Sequence, residues 1–107
     1  MKHCVIGIRV SDASEPVRSG GEVPTVWFTS MASLAAVLSD DNRALLRLIH
    51  ERQPKSLTEL GVLTGRKVPN LSRTLRTMAG HGLVDLKKNA RVVQPIALAT
   101  KFLVVVD

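Results

Sequence analysis

Residues 65–84 read GRKVPNLSRTLRTMAGHGLV. This helix-sized stretch carries Leu71, Leu75 and Met78 at i, i+4 and i+7, together with the cations Arg66, Lys67, Arg73 and Arg76, and it contains no acid. At about 100° per residue the three apolar side chains share one face, Pro69, Arg73, Arg76 and Thr77 point the other way, and Asn70 and Ser72 take the flanks. A helix that only fills a core normally balances its solvent face with both signs of charge. This one presents a single sign. Pro69 suits the first turn, where its missing N–H would have had no partner, and Gly80 and Gly82 close the helix.

Upstream, Ser56 and Glu59 in SLTEL have the spacing of a capping box, and Leu57, Leu60 and Leu63 follow at helical intervals until Gly65. Two helices are therefore expected a short turn apart. Pro54 stops the helix before them, in which Leu45, Leu46 and Ile49 form the apolar stripe. Ser39 can cap that helix, with Asp40 and Asp41 at its positive end, and Ser30 can cap a shorter one through Val37. Downstream, LVDLKKNARVV reads as a hairpin around Lys87, Lys88, Asn89 and Ala90, with Asn89 expected at the positive φ of a tight turn.

The two ends of the chain read as sheet. Residues 4–10 alternate, with Cys4, Ile6, Ile8 and Val10 on one face, as in a half-buried strand. Residues 11–24 gather Ser, Gly, Pro and charges without periodicity, so a mobile loop is expected before a short strand at TVWF. After Pro95, IALATKFLVVVD is apolar and β-branched, and its final run is expected to be buried on both faces or against a partner. The organisation expected is an N-terminal strand and flexible loop over residues 1–29, then a unit over 30–107, within one domain of 107 residues.

Composition narrows the function. The hydrophobic fraction of 45% is that of a globular protein, and no apolar run approaches the length that spans a bilayer, so no membrane partner is expected. One cysteine excludes an intramolecular disulfide, and with no secretory pattern at the start a cytoplasmic location is expected. The formal charge is +6, and residues 61–91 hold seven bases against the single acid Asp85, so that window accounts for the whole of it. An anionic partner is implied, nucleic acid first. With three aromatic residues and no tyrosine, a stacking platform for single strands is poorly supplied, which favours duplex DNA.

Two helices, the second cationic, followed by a basic-tipped hairpin describe a winged helix-turn-helix, an α+β fold. VPNLSRTLRTMAGHGLV resembles the recognition-helix signature of the MarR and ArsR classes of winged-helix transcription regulators: a proline or small residue, an aliphatic, Ser-Arg, a leucine, and a closing Gly-Leu-Val. The resemblance covers residues 34–93 and extends loosely to FTSMASLAAVLSDDNRALLRLI, as in a group of small MarR-like DNA-binding proteins. It implies Lys67, Pro69, Asn70, Ser72 and Arg73 at the DNA groove, Arg76 and Thr77 nearer phosphates, and Lys87, Lys88 and Arg91 as wing contacts. It further implies a transcriptional regulator, a repressor or autoregulator. A homodimer is expected because one such helix reads few base pairs and because the apolar strands at residues 4–10 and 102–106 exceed what one small wing needs to cover, unless they pair with each other within one chain.

The same residues admit rival readings. Arg76 can be a plain solvated helix residue, and Lys87 with Lys88 can serve solubility. Leu71, Leu75 and Met78 are core. Cys4, His3, His50 and His81 lack the spacing of a metal site, so no metal or cofactor is expected. His81, between two glycines at a helix end, is expected as a cap or a phosphate neighbour. No nucleophile-base-acid order and no glycine-rich phosphate loop appears, so no enzymatic activity is expected. The alternative function is a winged helix that binds a protein partner, antitoxin-like, through the C-terminal strand.

Overall fold

The computed structural model describes residues 4–8 and 24–105. Among the described residues the chain is an α+β domain with four helices and strands in two sheets, in the order β1 (Cys4–Ile8), β2 (Val26–Phe28), α1 (Met31–Val37), α2 (Asp40–Arg52), α3 (Leu57–Thr64), α4 (Val68–Gly80), β3 (Val84–Asn89), β4 (Val92–Ala97) and β5 (Phe102–Val105). None of the helices is long and apolar enough to cross a membrane. The expected loop, apart from Pro24, the strand ends at Val10 and Val106, and His3 all lie outside the described residues.

Helices α1, α2 and α3 each begin at a capping serine. Ser30 Oγ accepts from Ser33 N, Ser39 Oγ from Asn42 N, and Ser56 Oγ from Glu59 N at 3.0 Å. The return half of the capping box differs from expectation, since Glu59 Oε2 accepts from the backbone N of Lys55 rather than that of Ser56. Gln53 leaves α2 with φ 49, just ahead of buried Pro54, and Gly65 leaves α3 with φ 74, a left-handed value that glycine adopts without a Cβ penalty.

The main core lies between α2, α3, α4 and the β3–β4 hairpin. Leu45, Leu46, Ile49, Leu60, Leu71, Leu75, Met78, Leu83 and Val84 form it, so the stripes read on α2 and α4 are the buried ones, whereas of the α3 stripe only Leu60 is buried, Leu57 packs at the margin and Leu63 is exposed. A second cluster, Ile6, Ile8, Val26, Phe28 and Leu34, fixes α1 to the sheet of β1, β2 and β5, and Cys4, Val37, Leu38 and Phe102 pack against both clusters. The two cores are continuous, so the terminal strands and the helices form one unit.

The three-stranded sheet has the order β2-β1-β5 and both its pairings are parallel, with Ile6 opposite Val26 and Val104. The strands at the two ends of the sequence thus pair with each other within one chain, which removes one ground for expecting a second copy to cover them. Of the two expectations for the last run, burial on both faces is not met within the chain, since Leu103 and Val104 of edge strand β5 are 37% and 38% exposed, which leaves burial against a partner. Gly7 is required where it stands, because a Cβ there would lie 2.4 Å from the Trp27 ring.

The hairpin pairs Val84 with Ala97 through Asn89 with Val92. Its turn is Ala90–Arg91, and the positive φ falls on Ala90 (φ 54) rather than on Asn89, which instead ends β3. The first strand runs three residues further than the sequence suggests, so Lys87, Lys88 and Asn89 lie on the strand rather than in the turn.

Candidate nucleic-acid interface

The site is built on α4. Leu71, Leu75 and Met78 are wholly buried, which fixes the rotation of the helix and leaves Pro69, Asn70, Arg73, Arg76 and Thr77 exposed. Lys67 occupies the N-cap position with extended backbone and no side-chain cap, followed by exposed Val68 and by Pro69 in the first turn. An uncapped, exposed helix start with a lysine beside it concentrates positive potential there, from the helix dipole and the ammonium together. No acid lies in the first turn to offset it.

Three cationic side chains are held differently. Arg66, in the turn between α3 and α4, is half-buried and donates to the backbone O of Asp41 at 3.4 Å, so it ties the turn to the start of α2 rather than reaching outward. Arg76 folds along its own helix, Nε donating to the Ser72 carbonyl at 3.3 Å. Arg73 is exposed and makes no side-chain hydrogen bond or ion pair with described residues; it lines a shallow hollow of about 230 Å³ with Val37, Asn42 and Thr77, where α4 passes the α1–α2 junction. Thr77 Oγ1 donates to the Arg73 carbonyl at 3.1 Å, and Ser72, expected at the groove, is half-buried on the flank.

The tip of the hairpin approaches the uncapped start of the helix. Arg91, Val92 and Val93 share a hollow with Val68 and with Ser56, Leu57 and Thr58 at the start of α3. The structure thus brings Arg91 to the Lys67–Asn70 end of α4, with Arg73 and Thr77 further along the same exposed side. It does not bring Lys87 and Lys88 together as a pair. Successive strand residues point to opposite faces. Lys88 therefore shares a face with Val84 and Leu86, and Lys87 with Asp85 and Asn89. Both lysines are exposed.

Two features went unread in the sequence. Arg66 counts as one more base in a basic window, and only the fold reveals its tether. Val62, on α3, is 81% exposed, a position that helical periodicity marks as polar but no composition rule singles out. His81 is the C-cap of α4 and stacks on the Phe28 ring at 4.4 Å between centroids, so it joins the end of α4 to β2. Burial raises the Cys4 thiol above its ordinary 9.0, and a hydrogen bond with Thr25 opposes this in part. Among the described residues no three His, Cys, Asp or Glu side chains are grouped to hold a metal.

The helices and hairpin that build this surface coincide with a region of the sequence that matches a family model. No curated protein and no solved structure matches the chain significantly. The model of the family described as HVO_A0114 matches residues 37–102, from the last residue of α1 to the first of β5. The chain belongs to the HVO_A0114 family.

Proposed function

We propose that α2, α3, α4 and the β3–β4 hairpin form a winged helix-turn-helix, and that the protein binds duplex DNA sequence-specifically, as a homodimeric transcriptional regulator. The carrying observation is the two-sidedness of α4: one face wholly buried, the other exposed, cationic and free of acids, with Arg91 of the hairpin beside its uncapped start. A helix of this diameter fits the major groove of B-DNA, where Lys67, Asn70 and Arg73 would meet base edges and phosphates. Lys87, Lys88 and Arg91 are the hairpin's candidates for the backbone or the adjacent minor groove. Bending Arg76 back onto Ser72 makes it the weakest candidate on the helix.

Selection from a random duplex library, followed by titration of the enriched sequence at two salt concentrations, tests the reading. An enriched inverted repeat with half-sites about one helical turn apart is the expected result. Sequence-blind binding, or none, would remove the role assigned to α4 and turn attention to a protein partner. Charge reversal at Lys67 and Arg73 is expected to abolish DNA binding while leaving the fold intact, because both side chains are exposed and neither supports the core.

A further inference from the structure

In the sheet order β2-β1-β5, the outer side of β5 faces no strand among the described residues. Edge strands are normally blunted by a lysine, a proline or a bulge, since their free N–H and C=O groups template pairing with another chain. Phe102–Val105 has none of these within it, and it exposes Leu103 on one face and Val104 on the other. Beside Val104 runs a groove of about 230 Å³ between β5 and α1, lined by Met31, Leu34, Ala35, Leu38 and Phe102, with Met31 53% exposed.

We propose that this edge and groove receive a second copy of the chain, the two β5 strands pairing antiparallel about a two-fold axis to give one six-stranded sheet.

Charge selects that occupant. Two copies each carrying +6 repel, which favours meeting on a face of low local charge over one rich in cations. The cations of residues 66–91 sit elsewhere, in the α3–α4 turn, on α4 and on the hairpin. The groove's one charged lining residue is Arg43, and it pairs with Asp40 at 3.3 Å, a carboxylate almost fully exposed. The Asp40–Arg43 pair on the rim is complementary to its own two-fold image, with Asp40 of each copy able to meet Arg43 of the other, and Lys101, just ahead of β5, is the one further charge at this edge among the described residues. The inference supplies the two-copy arrangement that DNA reading calls for, but it rests on the apolar edge and its rim, and stands if the ligand is not DNA.

Sedimentation velocity of the full chain without DNA, over a concentration series at low and high salt, tests it. A reversible dimer is expected, and L103K/V104K should raise its dissociation constant about tenfold or more. Met31→Lys, on the helix side of the groove and outside the core, should weaken it in the same direction and covers the case in which the strand variant does not fold. Asp40→Arg and Arg43→Asp should each weaken the dimer, and combining them should restore it, since exchanged charges again face their opposites. A monomer at every concentration, or a dimer indifferent to both Met31→Lys and L103K/V104K, overturns the proposal. A dimer that binds no DNA defeats the DNA reading alone, whereas a monomer that still selects a half-site defeats the interface alone.

Discussion

If the exposed face of α4 and the hairpin meet phosphates, the salt dependence of binding follows from how the cations are held. Lys67, Arg73 and Arg91 are exposed and make no side-chain hydrogen bond or ion pair with described residues, whereas Arg76 is turned onto the Ser72 carbonyl and Arg66 onto Asp41. Lys87 and Lys88 project from opposite faces of the hairpin, so a backbone lying along one face meets only one of them. Four contacts per subunit at about 0.9 each give a slope of log K against log salt of about −3.6. Between roughly 50 and 200 mM salt, about 0.6 log units, affinity per subunit should then fall about 150-fold. Replacing both lysines by alanine removes one effective contact, reducing the slope to about −2.7 and the fall to about 40-fold. One single substitution should reproduce nearly the whole effect of the pair, and neither should change the preferred sequence, which belongs to Asn70 and its neighbours on α4. Fluorescence anisotropy on a fixed duplex at several salt concentrations measures every slope. Equal and additive effects of Lys87→Ala and Lys88→Ala would refute the face assignment, and a changed sequence preference would refute the division between hairpin and helix.

Other outcomes test the scaffold. Leu75→Ala opens a cavity beneath α4 at a wholly buried position and should cost about 2–5 kcal/mol, seen as a lower urea midpoint and, if the helix loses its seating, weaker DNA binding. Ser56→Ala removes the acceptor for Glu59 N and should cost about 1 kcal/mol, or a melting temperature lower by about 4–8 °C. Gly7→Ala drives a methyl into the Trp27 ring and should cost about 1–3 kcal/mol. The Cys4 thiol is raised by burial, so the folded state favours its protonated form; this contribution to stability is full below the ordinary value of 9.0 and is lost as pH rises above it. Chemical denaturation at neutral and alkaline pH, compared with Cys4→Ser, should show that loss only in the protein that retains the thiol.

The parts of this fold legible in the sequence are those fixed by contacts a few residues apart. Ser30, Ser39 and Ser56 mark helix starts because each hydroxyl satisfies a donor three residues on, and Leu71, Leu75 and Met78 mark the buried face because helical spacing alone aligns them. What escaped depends on partners distant in sequence. Arg66 reaches Asp41 across 25 positions, and no local pattern distinguishes it from Lys67 beside it, which faces solvent. The hairpin shows the limit even at short range. Asn89 is the better residue for a positive φ, yet the core fixes the register at Val84 opposite Ala97, and counting outward from that pair puts the turn on Ala90 and Arg91. Register outweighs the local preference because slipping by one residue would send Val84 and Leu86 to solvent and Asp85 to the core, far costlier than a left-handed alanine. That same register decides which lysine shares the core-packed face of the hairpin. The division of labour between Lys87 and Lys88 is therefore set by the burial of Val84, three and four residues away, and not by anything in the Lys-Lys dipeptide itself.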